Sequence, residues 1–149
     1  MSAPELVVDA SVGIKLFVEE ELSREAEQLF LELTKSPAAR FFVPDLFFLE
    51  CANILWKYVR RFQHDPEKAR QDIVSLRSLP LRTLAVVDLS ELSLDLALDR
   101  DVSAYDACYA VLAGSLHIPL ITADRKLIGK LSGSGIEVQW LGALSIPLR

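Results

Sequence analysis

The chain has 149 residues, 51% of them hydrophobic, and a mean hydropathy of +0.28, which excludes a disordered or low-complexity protein. One domain over residues 1–149 is expected from that length. Sixteen basic against 21 acidic residues leave a net charge of −5, which argues against capture of nucleic acid by bulk charge alone.

Residues 6–8 form a short apolar run ending at Asp9 and predict a buried strand. Helical patterns follow over 12–20 and 23–34, the second with Ser23 as its expected N-cap. Residues 41–43 predict a second strand, stopped by Pro44, and the run after Asp45 is long enough for about four helical turns. Asp65-Pro66 resets the chain before a polar helix reaching about residue 78. Residues 84–87 predict a third strand, and Ser90 and Ser103 are expected to cap helices reaching about residues 100 and 116. A fourth strand over 120–122, a short helix after Asp124 and a fifth strand over 136–140 complete the chain. Strands alternating with helices predict an α/β domain with a mostly parallel five-stranded sheet. Ligands of such sheets bind beyond the carboxyl ends of the strands.

Several chemistries are excluded by inspection. Neither a dinucleotide-binding nor a phosphate-loop glycine pattern is present, nor a G-x-S-x-G elbow. His64 and His117, the two histidines, have no metal-ligand spacing and read as surface or loop residues. Cys51 and Cys108 sit in apolar stretches and read as buried thiols in a reducing compartment. No run of about 18 uncharged apolar residues occurs, so no membrane helix is expected. The opening Met1-Ser2-Ala3-Pro4-Glu5 lacks a signal-peptide pattern, so a cytoplasmic location is expected.

Any catalysis therefore rests on carboxylates. Asp9 closes the first strand, Asp124 follows the fourth, and Asp106 stands in the first turn after Ser103. Each of these positions is also an ordinary site for a capping aspartate. Glu50 differs, because it is surrounded by Phe47, Phe48, Leu49, Cys51 and Ile54, and no basic residue lies between Arg40 and Lys57. A carboxylate half-buried without a cation is costly, and a bound metal would relieve it. Four acids meeting at one rim suit a hard divalent cation with oxygen ligands, Mg²⁺ or Mn²⁺. Ser11, Asn53 and Thr122 are placed to orient those acids from behind. Asp88 and Asp101 rank below the four, one before an ordinary helix start and the other in a charged surface patch. Residues 57–82 hold seven basic and three acidic groups, a local +4, and Lys57, Arg60 and Arg61 are its candidates for contacts to a phosphate backbone.

Four segments carry a resemblance. Val8-Asp9-Ala10-Ser11, the stretch from Pro44-Asp45 through Glu50 to Asn53, the stretch from Ala104 through Asp106 to Ala113, and Leu120-Ile121-Thr122-Ala123-Asp124-Arg125-Lys126-Leu127 resemble PIN-domain proteins, with the greatest likeness to VapC-type toxins. The resemblance spans residues 6–141 in family order. It implies a metal-dependent endoribonuclease with Asp9, Glu50, Asp106 and Asp124 as its acidic quartet, a homodimer, and a cognate antitoxin partner. Two other readings stand beside it. A phosphoacceptor receiver domain would want paired acids after the first strand, where Asp9 is followed by Ala10 and Ser11. A non-catalytic interaction module on the same scaffold would not need the intact quartet.

Overall fold

The computed structural model describes residues 4–144. Five strands, β1 (Glu5–Val8), β2 (Arg40–Pro44), β3 (Arg82–Leu84), β4 (Leu120–Thr122) and β5 (Val138–Trp140), form one sheet in the order β3-β2-β1-β4-β5. Every neighbouring pair is parallel. The sheet is thus wholly parallel, and its strands are correspondingly apolar: Val7, Val8, Phe41, Val43, Leu120 and Ile121 are buried.

The helices are α1 (Ala10–Gly13), α2 (Ser23–Lys35), α3 (Leu46–Phe62), α4 (Pro66–Ser78), α5 (Ser90–Arg100), α6 (Ala104–Leu116) and α7 (Arg125–Leu131). By the right-handed rule for parallel crossovers, this strand order assigns α1 to α4 to one face and α5 to α7 to the other. Residues 107–113 of α6 are buried without interruption, as a helix laid across the middle of a sheet must be. The strand order reverses between β1 and β4, so a crevice opens at their carboxyl ends.

Four local expectations are corrected. The helix expected over 12–20 stops early, as α1 followed by a 3-10 turn, Ile14–Leu16. Glu19, Glu20 and Glu21 would crowd three negative charges at the negative end of the helix dipole. Ser23 does not cap α2. Leu22 holds that position at φ 70°, while the buried Ser23 hydroxyl accepts from the Glu20 amide and donates to the Val18 carbonyl. The third strand lies at Arg82–Leu84 rather than 84–87, because Asp45 turns β2 into α3: its amide makes the last bond, to the Leu84 carbonyl, and its carboxylate rather than its carbonyl takes the Val86 amide. Ser90 begins α5 rather than capping it, its hydroxyl donating to the Val86 carbonyl at 3.0 Å.

One close approach fixes the crevice. A Cβ on Gly13 would stand 2.5 Å from Cζ of Phe47, so only glycine lets α1 lie this close to α3. Asp9 and Glu50 are held on either side of that contact, four residues before Gly13 and three after Phe47. The sheet, in short, sets where the acids can stand.

Candidate active site

Asp9 leaves β1 at the crevice and is 6% exposed. Its burial is compensated by hydroxyls, not by a cation. Ser11 Oγ and Thr122 Oγ1 both donate to Asp9 Oδ2, at 2.7 and 2.8 Å. A hydroxyl can donate once and still accept, and both do: Ser11 Oγ accepts from the Ala123 amide at 3.1 Å and Thr122 Oγ1 from the Asp124 amide at 3.1 Å. The β1–β4 seam is therefore stitched by side chains beyond the last ladder bond, and the stitch ends on the Asp9 carboxylate.

The remaining acids stand at helix starts around the same rim. Asp106 lies in the first turn of α6, its amide donating to Ser103 Oγ at 3.0 Å, so the expected cap is present. Glu50 lies in the second turn of α3, half-buried, and accepts the Tyr109 hydroxyl at 2.5 Å. Asp124 caps α7, its Oδ1 accepting from the amides of Lys126 and Leu127 at 3.0 and 3.3 Å.

The acids feel one another. Burial raises the Asp9 pKa above its ordinary value; the Ser11 and Thr122 hydroxyls pull it back and the Asp106 charge adds to the rise. Burial also raises Glu50 against the Tyr109 hydrogen bond, with further increments from Asp9 and Asp106. For Asp106 burial leads again, followed by the charge of Asp124. Among the described residues none of the four is ion-paired with a Lys or Arg. Among those residues, too, no three His, Cys, Asp or Glu side chains stand as a ready-made metal cage. The donor set is all carboxylate oxygen, mutually repelling and without a cation of its own, and that chemistry fits a hard divalent ion.

A model of the PIN domain family matches residues 6–130. Ribonuclease VapC3 of Pyrobaculum aerophilum is 37% identical over 128 residues, which are 84% of this chain and 93% of that protein. This chain is a PIN domain of the VapC type. The crystal structure of PAE2754 from Pyrobaculum aerophilum superposes with a TM-score of 0.67 at 26% identity, over 94% of this chain and 85% of that one. A toxin–antitoxin complex from Klebsiella pneumoniae gives 0.60 at 19% identity, over 86% of this chain and 91% of that one, a likeness of fold alone.

Within this PIN domain the expected orienting residues divide. Ser11 and Thr122 touch Asp9 directly. Asn53 lies exposed on α3 and makes no side-chain hydrogen bond among the described residues; three residues from Glu50 gives a shared helix flank but not the direction of the carboxylate. The group holding Glu50 is Tyr109, a fully buried residue that the sequence reading missed. Its signal was the spacing Asp106–Tyr109, which sets both on one side of α6. Lys57, Arg60 and Arg61 are exposed in the last turns of α3, Arg60 lying over the Trp56 ring at 5.9 Å. At 1.5 Å per residue they begin about 10 Å along the helix from Glu50, outside the acidic rim. Cys51 and Cys108 are buried free thiols, as expected, and burial pushes both up, Cys108 to about 12. His117 is exposed at the end of α6, while His64 is half-buried with its ring nitrogen 3.1 Å from the carboxylate of the buried Asp72.

Proposed function

We propose that this VapC-type PIN domain is a divalent-metal-dependent endoribonuclease, the toxin of a toxin–antitoxin pair acting in the cytoplasm. The observation that carries the reading is Asp9: a buried carboxylate, ordered by Ser11 and Thr122, with the carboxyls of Glu50 and Asp106 nearby and, among the described residues, no Lys or Arg paired to any of them. The residues that would hold Mg²⁺ or Mn²⁺ are Asp9 and Asp106 first, with Asp124 and Glu50 completing the set directly or through water. When bound, a divalent ion supplies the positive charge that makes water a better nucleophile and offsets charge growing on the phosphate. The protein's own part is to aim these carboxylates and to limit the cost of charging them. The hydroxyls of Ser11 and Thr122 lower the cost of a charged Asp9, and the Tyr109 hydroxyl does the same for Glu50. In-line attack of water on phosphorus breaks the bond to the 3′ oxygen and leaves 5′-phosphate and 3′-hydroxyl ends.

A cognate antitoxin and a second copy of the chain are the proposed protein partners. Exposed Leu49 and Trp56 on α3 and Leu94 and Leu98 on α5 supply apolar surface of the kind such contacts cover.

The test is cleavage of total RNA and of a circular RNA by purified protein, with Mg²⁺ or Mn²⁺, with EDTA, and with Asp9→Asn. Cutting of both substrates that needs metal and disappears in the variant is expected. Cutting of linear RNA only would replace endonuclease with exonuclease. A folded protein that neither cuts nor binds either metal would overturn the reading.

A further inference from the structure

On the far side of Asp124 from Asp9's partners, the start of α7 and the end of β5 border a cleft of about 310 Å³. Its wall is layered. The Arg125 guanidinium lies 3.8 Å from the centroid of the Trp140 ring. Gly142 lies against the same indole, where a Cβ would fall 2.5 to 2.7 Å from three ring carbons, so the ring lies directly on the backbone. Arg125 is exposed, and it and Lys126 pair with no carboxylate among the described residues. The guanidinium thus rests on a fixed aromatic ring while, as an exposed lining residue, it offers its N–H donors to the cleft.

Lys15 also lines the cleft. It is 8% exposed and tied to Glu20 Oε1 at 2.8 Å, and Glu20 also accepts the Tyr58 hydroxyl. Lys15 is therefore a fixed part of the floor. Glu21 stands at the mouth and is the one lining acid besides Asp124. A planar cation backed by an aromatic ring, with a second cation one residue on, matches a planar base joined to a phosphate.

We propose that this cleft seats the nucleotide next to the bond being cut, its base stacked on the open face of Arg125 and its phosphate held by Lys126 and the Arg125 N–H groups. The proposal rests on the nuclease reading above, and it places RNA recognition at the start of α7 in addition to the basic end of α3.

The probe is fluorescein-labelled octauridylate, its anisotropy titrated in EDTA so that binding is read without cleavage, over a series of KCl concentrations. Arg125→Ala/Lys126→Ala is expected to bind roughly tenfold or more weakly, with a log–log salt slope shallower by about 1.4 for two lost phosphate contacts on a single strand. Arg125→Lys keeps the charge and removes the plane, so its slope should stay while its affinity falls. Lys35→Ala/Arg40→Ala removes the same charge beside the amino ends of the strands, away from the crevice, and should leave affinity within about twofold, since contacts and not net charge set the slope. In a Trp56→Phe protein, the remaining indole emission should change as the RNA binds. Wild-type affinity and slope in Arg125→Ala/Lys126→Ala, an equal loss in the Lys35→Ala/Arg40→Ala pair, or no binding by the wild type would each overturn the proposal. Because none of these readings uses metal or cutting, a protein that binds here yet cleaves nothing would sink the nuclease reading alone.

Discussion

Asp9 carries a cost that its neighbours only partly offset. Ser11 and Thr122 donate to one of its oxygens, while burial and Asp106 work against its charge. Removing the charge but keeping the shape should therefore stabilise the metal-free protein: Asp9→Asn is expected to melt higher at pH 7, by about 2–4 °C for each kcal/mol relieved in a domain of this size. An unchanged or lower melting temperature would show that Asp9 is adequately solvated. Thr122→Val should act the opposite way. It removes a hydrogen bond to a charged group, worth about 1.5–3 kcal/mol, and a thermal melt would register the loss together with slower RNA cleavage. At this scale the sequence was informative where a polar residue ends an apolar run. Asp9, Ser11, Thr122 and Asp124 are such residues, and chain direction alone sends them to one rim. It was uninformative for Tyr109, whose hydroxyl meets Glu50 only because two helices 59 residues apart come together. Arg125 and Lys126 were visible as letters, but their stacking and alignment depended on Trp140, fifteen residues on from Arg125.

Helix packing decides whether the acids face one another. Gly13 lets α1 rest on the Phe47 ring, and that contact sets the separation of the strand bearing Asp9 from the helix bearing Glu50. Gly13→Ala should cost about 1–3 kcal/mol by overpacking, and the larger effect should be on cleavage, because α3 must move to admit the methyl group. A denaturant titration and a cleavage assay on the same preparation would separate the two; a fully active, equally stable variant would show that Phe47 swings aside freely. Elements with a clean apolar period or a proline boundary were legible in advance, including α4, which begins at Pro66 behind its Asp65 cap. The elements that shifted did so for tertiary reasons. The 3-10 turn after α1 answers to the charges of Glu19–Glu21, and β3 ends where Asp45 turns into α3 and its carboxylate takes the Val86 amide.

For the whole molecule, a wholly parallel sheet gathers every strand's carboxyl end on one side, and with them the raised carboxyls of Asp9, Glu50 and Asp106. A carboxyl whose folded pKa lies above its unfolded value binds more protons when folded. Its contribution to stability is complete below the unfolded range near pH 4 and is lost as pH rises through the raised folded value. The part of the pH–stability profile due to these three groups should thus slope downward from about pH 4 toward neutrality. Saturating divalent ion should flatten it, adding about 2.7 kcal/mol at a hundredfold excess over Kd. Calorimetry with and without metal would read both, and a metal-independent slope would separate these acids from any ion.

The stitch between β1 and β4 also orders events in time. Asp9 is made first, but Thr122, 113 residues later, supplies one of its two hydroxyl donors, and Ser11 is itself positioned through the Ala123 amide. A ribosome must add that whole stretch before the carboxylate has its neighbours. At about 5–20 residues per second, a growing chain thus carries Asp9 without its partners for seconds, and the order around it arrives all at once when β4 joins β1.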